Sequence, residues 1–440
     1  YQQVTEIVEK AVITVATPVP HGERQFYMRT LDANPNYGGT LKIAAHGPPA
    51  HFDNYASITI ANIGAQNLMY DQLVRRDARR TPLLPVIPDL AHRWDISTDG
   101  MTYTFHLRKG AKFHDGSDFG AEDVKATYDR IIFPPEGIGS YRQGVLETIK
   151  SIDVVDENTV EFTLKEFRSD SYLMQAFASG WNVINKKEVL EENDGDLKQV
   201  DNAPGTGPFK YSERTTESWT TERNPDYWNP NAPYVDRVEQ IWLRVFTPES
   251  QAALLGGLVH FNMFTTGETL EEIKKRDDMS YLLWSKGVPG VDFAFNTQRA
   301  PFDNVLVRRA AHLAVDLEGY IDISSQYAPS WFNGDWFAAN SVYARPLDEM
   351  KKELPWDFSR RDDAIAEAKA LMVEAGYPDG YPDKLVFPVQ ETTRNQQWGA
   401  LIQANLKEIG LDLDIQIHSA SELFEVVAGG AYDIGNSGAC

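Results

Sequence analysis

The 440-residue chain has 64 acidic and 42 basic side chains, for a formal net charge of −22. Such acidity disfavours nucleic acid and anionic membrane surfaces, whose phosphates call for Lys and Arg. A hydrophobic share of 42% can fill the cores of two or three domains, and the single cysteine, Cys440, rules out an internal disulfide and any Cys-based zinc or redox site.

In chain order, residues 1–37 come first. "EKAVITVATPVPHGERQFYMRTLDANPNYGG" holds one short β-like run, Val12 to Val15, among prolines, charges and Asn-Pro turns. It reads as a flexible tether, with an edge strand of the body as the other reading. The chain begins at Tyr1 without a charged-then-apolar leader, which suggests a processed or fragmentary N-terminus. No stretch approaches the length of an apolar membrane span. The body starts at "GGTLKIAAHG", where Leu41, Ile43 and Ala45 alternate as a strand does. In "ASITIANIGAQNLMYDQLV", Ala61, Ala65, Leu68 and Met69 have helical spacing. Tyr103, Phe105 and Leu107 predict a strand followed by turns at Lys109-Gly110 and Asp115-Gly116. "AEDVKATYDRII" predicts a helix with Val124, Tyr128 and Ile131 on one face. "SIDVVDENTVEFTL" predicts two strands around an Asp-Glu-Asn turn.

The run "NAPGTGPFKYSERTTESWTTERNPDYW", residues 202–228, raises the thought of a phosphate cradle. A P-loop needs Lys and Ser/Thr after the second glycine and a helix behind it. Here Pro208 and Phe209 follow, then two strand-like segments. The expectation is a tight backbone corner leading into a hairpin, with glycine supplying positive φ and proline stiffening the exit. Tyr227 and Trp228 close the hairpin, as packing residues or as ligand contacts.

Later the rhythm changes. "AIAEAKALMVEAGYPDG" is a helix stopped by Gly376, "KLVFPV" a strand, and "NQQWGALIQANLKEIG" a helix striped with Trp398, Leu401, Ile402, Leu406 and Ile409. "LDLDIQIH", a short helix and "YDIGNS" follow, an alternation that predicts an open α/β sheet. The chain stops inside this alternation, so a further element is expected beyond Cys440.

"GTGPF", the hairpin and "ERNPDYW" together resemble the signature stretch of the family 5 extracellular solute-binding proteins, the peptide- and nickel-type receptors of ABC importers. "FHDGSDFGAEDVKATYDRI", "FAFNTQRAPFDNVLVRRAAHLAVDLEGYI" and "EAGYPDGYP" agree with it in order and spacing, over residues 38 to 440. Three positions depart from the family pattern: His260 stands where an acidic residue is usual, "HFDN" (51–54) replaces Leu-Asp-Pro, and Gly120 replaces Thr or Ser. The resemblance implies an α/β, two-lobe periplasmic-binding-protein-like fold of type II. It places lobe I at 38–286 with an inserted α+β subdomain at about 66–168, and lobe II at 287–440. It implies a monomeric receptor that takes a di- or oligopeptide between its lobes and hands it to an importer permease. Such a receptor works in the periplasm or outside the cell, with a lipid anchor as an option. A nickel chelate, a sugar or another small metabolite is the alternative solute, and a secreted hydrolase a distant alternative function. The ligand-amine Asp of peptide-binding members lies beyond Cys440.

Open α/β sheets bind at strand ends and loops. That selects His46 to Ile60, the "MFTTG" loop and "GVPGVD"; the resemblance adds the loop of Ser140, Tyr141 and Arg142. The expected ligand-binding residues are Tyr55, Tyr141, Arg142, Phe264, Val291 and Asp292. Trp331, Phe332, Trp336 and Phe337 either wall the cleft or pack under a long loop. His46, His51, His106 and His114 match no metal-ligand spacing, and no cofactor is expected. Without a Gly-x-Ser-x-Gly elbow or a His-Glu-x-x-His motif, the chain does not read as an enzyme.

Overall fold

The computed structural model describes residues 34–437, apart from 46, 50, 58, 78–84, 201, 245–246, 264, 282–291, 328–344, 420–421, 424–425 and 428. These residues fall into two compact units. One lies within Tyr1–Val245 and Gly256–Asn262, the other within Phe246–Leu255 and Met263–Cys440. The tether assigned to residues 1–37 lies almost wholly outside the described residues, as do Phe264, Val291 and the aromatic run from Trp331 to Phe337.

In the first unit, β1 (Thr40–Ala45) is followed by a helix, Ile60–Gln66, capped by the Thr59 side chain. The helical spacing through Leu68 and Met69 is not used. Their carbonyls accept from the N–H groups of Phe209 (3.1 Å) and Gly207 (2.9 Å), so a long-range backbone pairing ends the helix early. Strands β2 (Val74–Arg76) and β3 (Val86–Pro88) pair with each other. The next four form an antiparallel sheet in the order β4-β5-β7-β6: β4 (Ala91–Ile96), β5 (Thr102–Leu107), β6 (Ile149–Asp156) and β7 (Thr159–Leu164). The helix Ala121–Ile132 lies on this sheet, burying Val124, Tyr128 and Ile131 as its spacing predicts. Its core is aromatic. Phe105, Phe162 and Phe177 meet edge to face at 5.0–5.5 Å, and Tyr128 joins at 5.1 Å from Phe162, the geometry favoured by ring quadrupoles.

The hairpin expected after the glycine pair is β8 (Phe209–Arg214) with β9 (Ser218–Arg223). With β10 (Arg237–Trp242) and β11 (Phe261–Asn262) it builds a five-stranded sheet, β11-β1-β10-β9-β8, in which β1 runs parallel to both neighbours. The glycines serve a purpose other than the one expected. Neither Gly205 nor Gly207 has a positive φ; instead, a Cβ on Gly205 would sit 2.0 Å from the Met69 carbonyl oxygen, and one on Gly207 2.4 Å from the Met69 carbonyl carbon. Backbone rests on backbone, and only glycine fits.

In the second unit, β12 (Asp292–Phe295) pairs antiparallel with β15 (Ile434–Ser437), while β13 (Leu385–Gln390) pairs parallel with β14 (Leu413–His418). Asp433 joins the two ladders. Its N–H donates to the Val386 carbonyl, and its Oδ2 accepts from the Val386 N–H at 2.7 Å. Arg299 Nε completes the clamp, 3.0 Å from Oδ1. The helix Thr393–Lys407 covers β13 with the expected stripe, burying Trp398, Ile402 and Leu406. Helices Val305–Ala314 and Arg361–Glu374 pack through Ala310, Ala314 and Ala368, and Gly376 at φ +94° ends the latter.

Candidate functional site

The loop after β1 is ordered by a buried ion pair. Asp53 is fully buried, and its Oδ2 lies 2.8 Å from the Arg130 guanidinium, a side chain only 3% exposed. The other oxygen, Oδ1, accepts from the N–H groups of Tyr55 and Ala56 at 2.9 and 3.0 Å, closing an Asx-type turn. Arg130 projects from the helix Ala121–Ile132 and also donates to the carbonyls of Gly195 and Gly139. One guanidinium therefore ties together three loops. Removing water from two charges is repaid only in so far as the remaining donors and acceptors are also met; Arg130 Nε and Nη2 are bonded, while Nη1 is buried without a hydrogen-bond partner.

The sequence singled out Tyr55, Tyr141 and Arg142, and the structure brings their loops together. The Tyr141 N–H donates to the Tyr55 carbonyl at 3.0 Å, and Arg142 donates to the Ser57 carbonyl at 2.9 Å. Their exposures differ. Tyr141 is 47% exposed, whereas Tyr55 is fully buried. The Tyr55 hydroxyl donates to the Val183 carbonyl at 2.8 Å and accepts from the Asn185 amide, and burial raises its pKa well above the ordinary phenol range. Tyr55 is thus a strut under the loop. The Arg142 guanidinium lies 4.5 Å from the ring centre of Trp181, a cation–π contact that no local pattern announces, because Trp181 is 39 positions away. Asp292 pairs through its backbone with Ser437 in the second unit. Phe264 and Val291 lie outside the described residues.

His51 shares the first loop. Burial lowers its pKa, and its Nδ1 accepts from the Asp53 N–H at 3.2 Å, so the neutral ring with Nε2 protonated fits the site. His106 meets Asp95 at 2.8 Å, and His114 is enclosed by the glycine corner. Among the described residues no group of three or more His, Cys, Asp or Glu could hold a metal ion. None of their helices is long and apolar enough to cross a membrane.

Tyr227 and Trp228 take the packing role. Tyr227 OH and Trp228 Nε1 donate to the two oxygens of buried Asp71 at 3.1 and 3.0 Å, and Arg108 stacks 4.0 Å over the Trp228 ring. Arg75 bridges Asp71 and Asp89 at 3.1 and 2.9 Å. Burial, and after it the neighbouring Asp89, pushes the Asp71 carboxyl up to about 7.

The polar contacts of this arrangement hold loops in place. The family profile described as "Bacterial extracellular solute-binding proteins, family 5 Middle" matches residues 85–439. Di/tripeptide-binding protein 1 of Pseudomonas aeruginosa is 28% identical over 90% of this chain and 75% of its own length. Heme-binding protein A of Haemophilus influenzae is 30% identical over 80% of this chain and 65% of its own length, so the chain spans less than two thirds of that relative. A solved structure of the periplasmic binding protein DppA from Helicobacter pylori, in complex with the peptide STSA, superposes with a TM-score of 0.72 at 26% identity. It covers 91% of this chain, which spans 78% of that one. The Agrobacterium binding protein AgaA, in complex with agropinic acid, superposes at 0.77 with 25% identity, over 90% of this chain and 76% of its own. The fold is the two-lobe, mixed α/β type II architecture of periplasmic binding proteins. A profile match across most of the chain, on a fold shared with solved receptors, places this protein among the bacterial extracellular solute-binding proteins of family 5.

Proposed function

We propose that this protein is an extracytoplasmic receptor that captures a di- or oligopeptide and delivers it to an ABC importer, without chemical turnover. The observation that carries the reading is the similarity, across 90% of the chain, to a di/tripeptide-binding protein. Solved relatives in complex with the peptides STSA and Met-Leu agree with it. In this reading Tyr141 and Arg142 face the solute, Tyr55 supports their loop, and Phe264, Val291 and Asp292 complete the set. The protein works as a monomer outside the cytoplasmic membrane, with residues 1–37 as its tether and lobe II from 287 onward. The heme-binding and agropinic-acid-bound relatives favour a second reading, in which the same fold takes a non-peptide metabolite.

Native mass spectrometry of the whole protein as purified, followed by calorimetry against unblocked di- and tripeptides and small metabolites, tests the proposal. A peptide bound with sub-millimolar affinity and recovered intact is the expected result. Exclusive binding of a non-peptide metabolite, or hydrolysis of the bound peptide, overturns it.

A further inference from the structure

From His51 to Thr59, one polar side chain among the described residues stands apart. His51 accepts from the Asp53 N–H, and its carbonyl accepts from Asn62 and Gln66. Asp53 is saturated by Arg130 and two backbone N–H groups. The Tyr55 hydroxyl both donates and accepts. Ser57 and Thr59 bond each other, and the Thr59 side chain caps the next helix. Asn54, between the two most firmly anchored residues of the loop, is 1% exposed, yet neither its Nδ2 nor its Oδ1 has a hydrogen-bond partner. An amide buried with both functions unmet is destabilising, and the large majority of buried polar side-chain atoms are satisfied. The cost falls between two residues that are themselves fixed by hydrogen bonds. The neighbouring strand of loop, Gly139 to Arg142, is tied to it by bonds to Arg130, Tyr55 and Ser57, and it carries another buried atom without a partner, Ser140 Oγ.

We propose that Asn54 is a solute-reading residue, whose amide pairs with the N–H and C=O of one residue of an extended peptide. In an extended chain these two groups of a given residue point to the same side, as in the hydrogen-bonded pairs of an antiparallel ladder. A side-chain amide on a loop anchored at both neighbouring residues offers the matching acceptor and donor, and Ser140 Oγ is a group that can serve either way. Recognition of this kind reads the main chain and leaves side-chain identity free, which suits a receptor for peptides of varied sequence. The inference rests on the peptide reading of the function.

The test uses the whole protein, a panel of unblocked di- and tripeptides including Met-Leu and tri-alanine, and the tightest member N-methylated at each peptide bond in turn. Asn54→Leu keeps the branched shape and removes both polar atoms; Asn54→Ala removes them without added bulk. The expected result is an apo melting temperature in Asn54→Leu no lower than in the unaltered protein, with peptide affinity at least tenfold weaker in both variants. N-methylation at one position should weaken binding to the unaltered protein tenfold or more and leave binding to the variants unchanged. Affinities within twofold of the unaltered protein overturn the assignment. So does a joint loss of apo stability and affinity, which would mark Asn54 as a structural support. If the unaltered protein binds no member of the panel, the peptide reading fails first and takes the assignment with it.

Discussion

At Gly205 and Gly207 a single methyl group is decisive. With the Met69 backbone 2.0 and 2.4 Å from their ideal Cβ positions, Gly205→Ala or Gly207→Ala must separate the hairpin corner from the 67–70 segment. Overpacking ordinarily costs about 1–3 kcal/mol, and a backbone contact cannot move aside as a side chain does, so about 3 kcal/mol or more is expected in urea unfolding. A second residue-scale prediction concerns pH. The Asp71 carboxyl is pushed up to about 7, so the folded state keeps a proton that the unfolded chain releases near pH ~4. Stability from this group therefore falls as pH rises across that window. His114 acts in the opposite direction. Burial pushes it down to about 4, while its Nδ1 accepts from the Gly205 N–H, so stability is lost as pH falls from about 6.5 toward 4. Asp71→Asn should remove only the first effect. The unfolding free energy of the unaltered protein minus that of the variant should drop between about pH 4 and 8; a flat difference would show that Asp71 ionises normally.

At the scale of elements, two carboxylates act as joints. Asp53 and Arg130 link the loop after β1 to the helix Ala121–Ile132 and, through Gly139 and Gly195, to two further loops. Arg130→Met leaves a buried carboxylate without its counter-charge, a change that typically costs about 3–5 kcal/mol. It should also release the Tyr141 loop, so solute affinity should fall along with the melting temperature. Asp433 joins β13 to β15 through both its backbone N–H and its side chain. Asp433→Ala is expected to cost about 2–3 kcal/mol, since bonds to a charged group are worth roughly 1.5–3. The loss should be local: amide exchange should quicken at Val386 and along β15 while the sheet β4-β5-β7-β6 is unchanged. Uniform loss of protection would show that the joint is global.

At the scale of the molecule, a solute that binds only the folded protein must stabilise it. At a hundredfold excess over its dissociation constant the gain is about 2.7 kcal/mol. The melting temperature should therefore climb with the concentration of the bound peptide and level only logarithmically. A scrambled mixture of the free amino acids should leave it unmoved. With a net charge of −22, attraction of a cationic peptide should also weaken as salt is added, because screening shortens the reach of surface charge. An association rate independent of salt would remove electrostatic steering from the account.

Local pattern was enough for much of this molecule. The helix 121–132, the strands 149–156 and 159–164 and the helix–strand alternation after 361 all follow from periodicity and from stops such as Gly376. Each is an element whose apolar face is written within a dozen residues, so its own sequence decides its form. The loop motifs also carried the family resemblance. The early end of the helix at Gln66 was decided elsewhere, because the groups that capture Leu68 and Met69 lie some 140 positions on, at Gly207 and Phe209. The same holds at the candidate site. Proximity of Tyr55 to Tyr141 came through resemblance, but the burial of Tyr55, the partnership of Asp53 with Arg130 and the stacking of Arg142 on Trp181 exist only once distant segments meet. Spacing along a chain records which face of an element is apolar. It holds no record of which polar group will be left without a partner when the faces close, and Asn54 is visible only after they have.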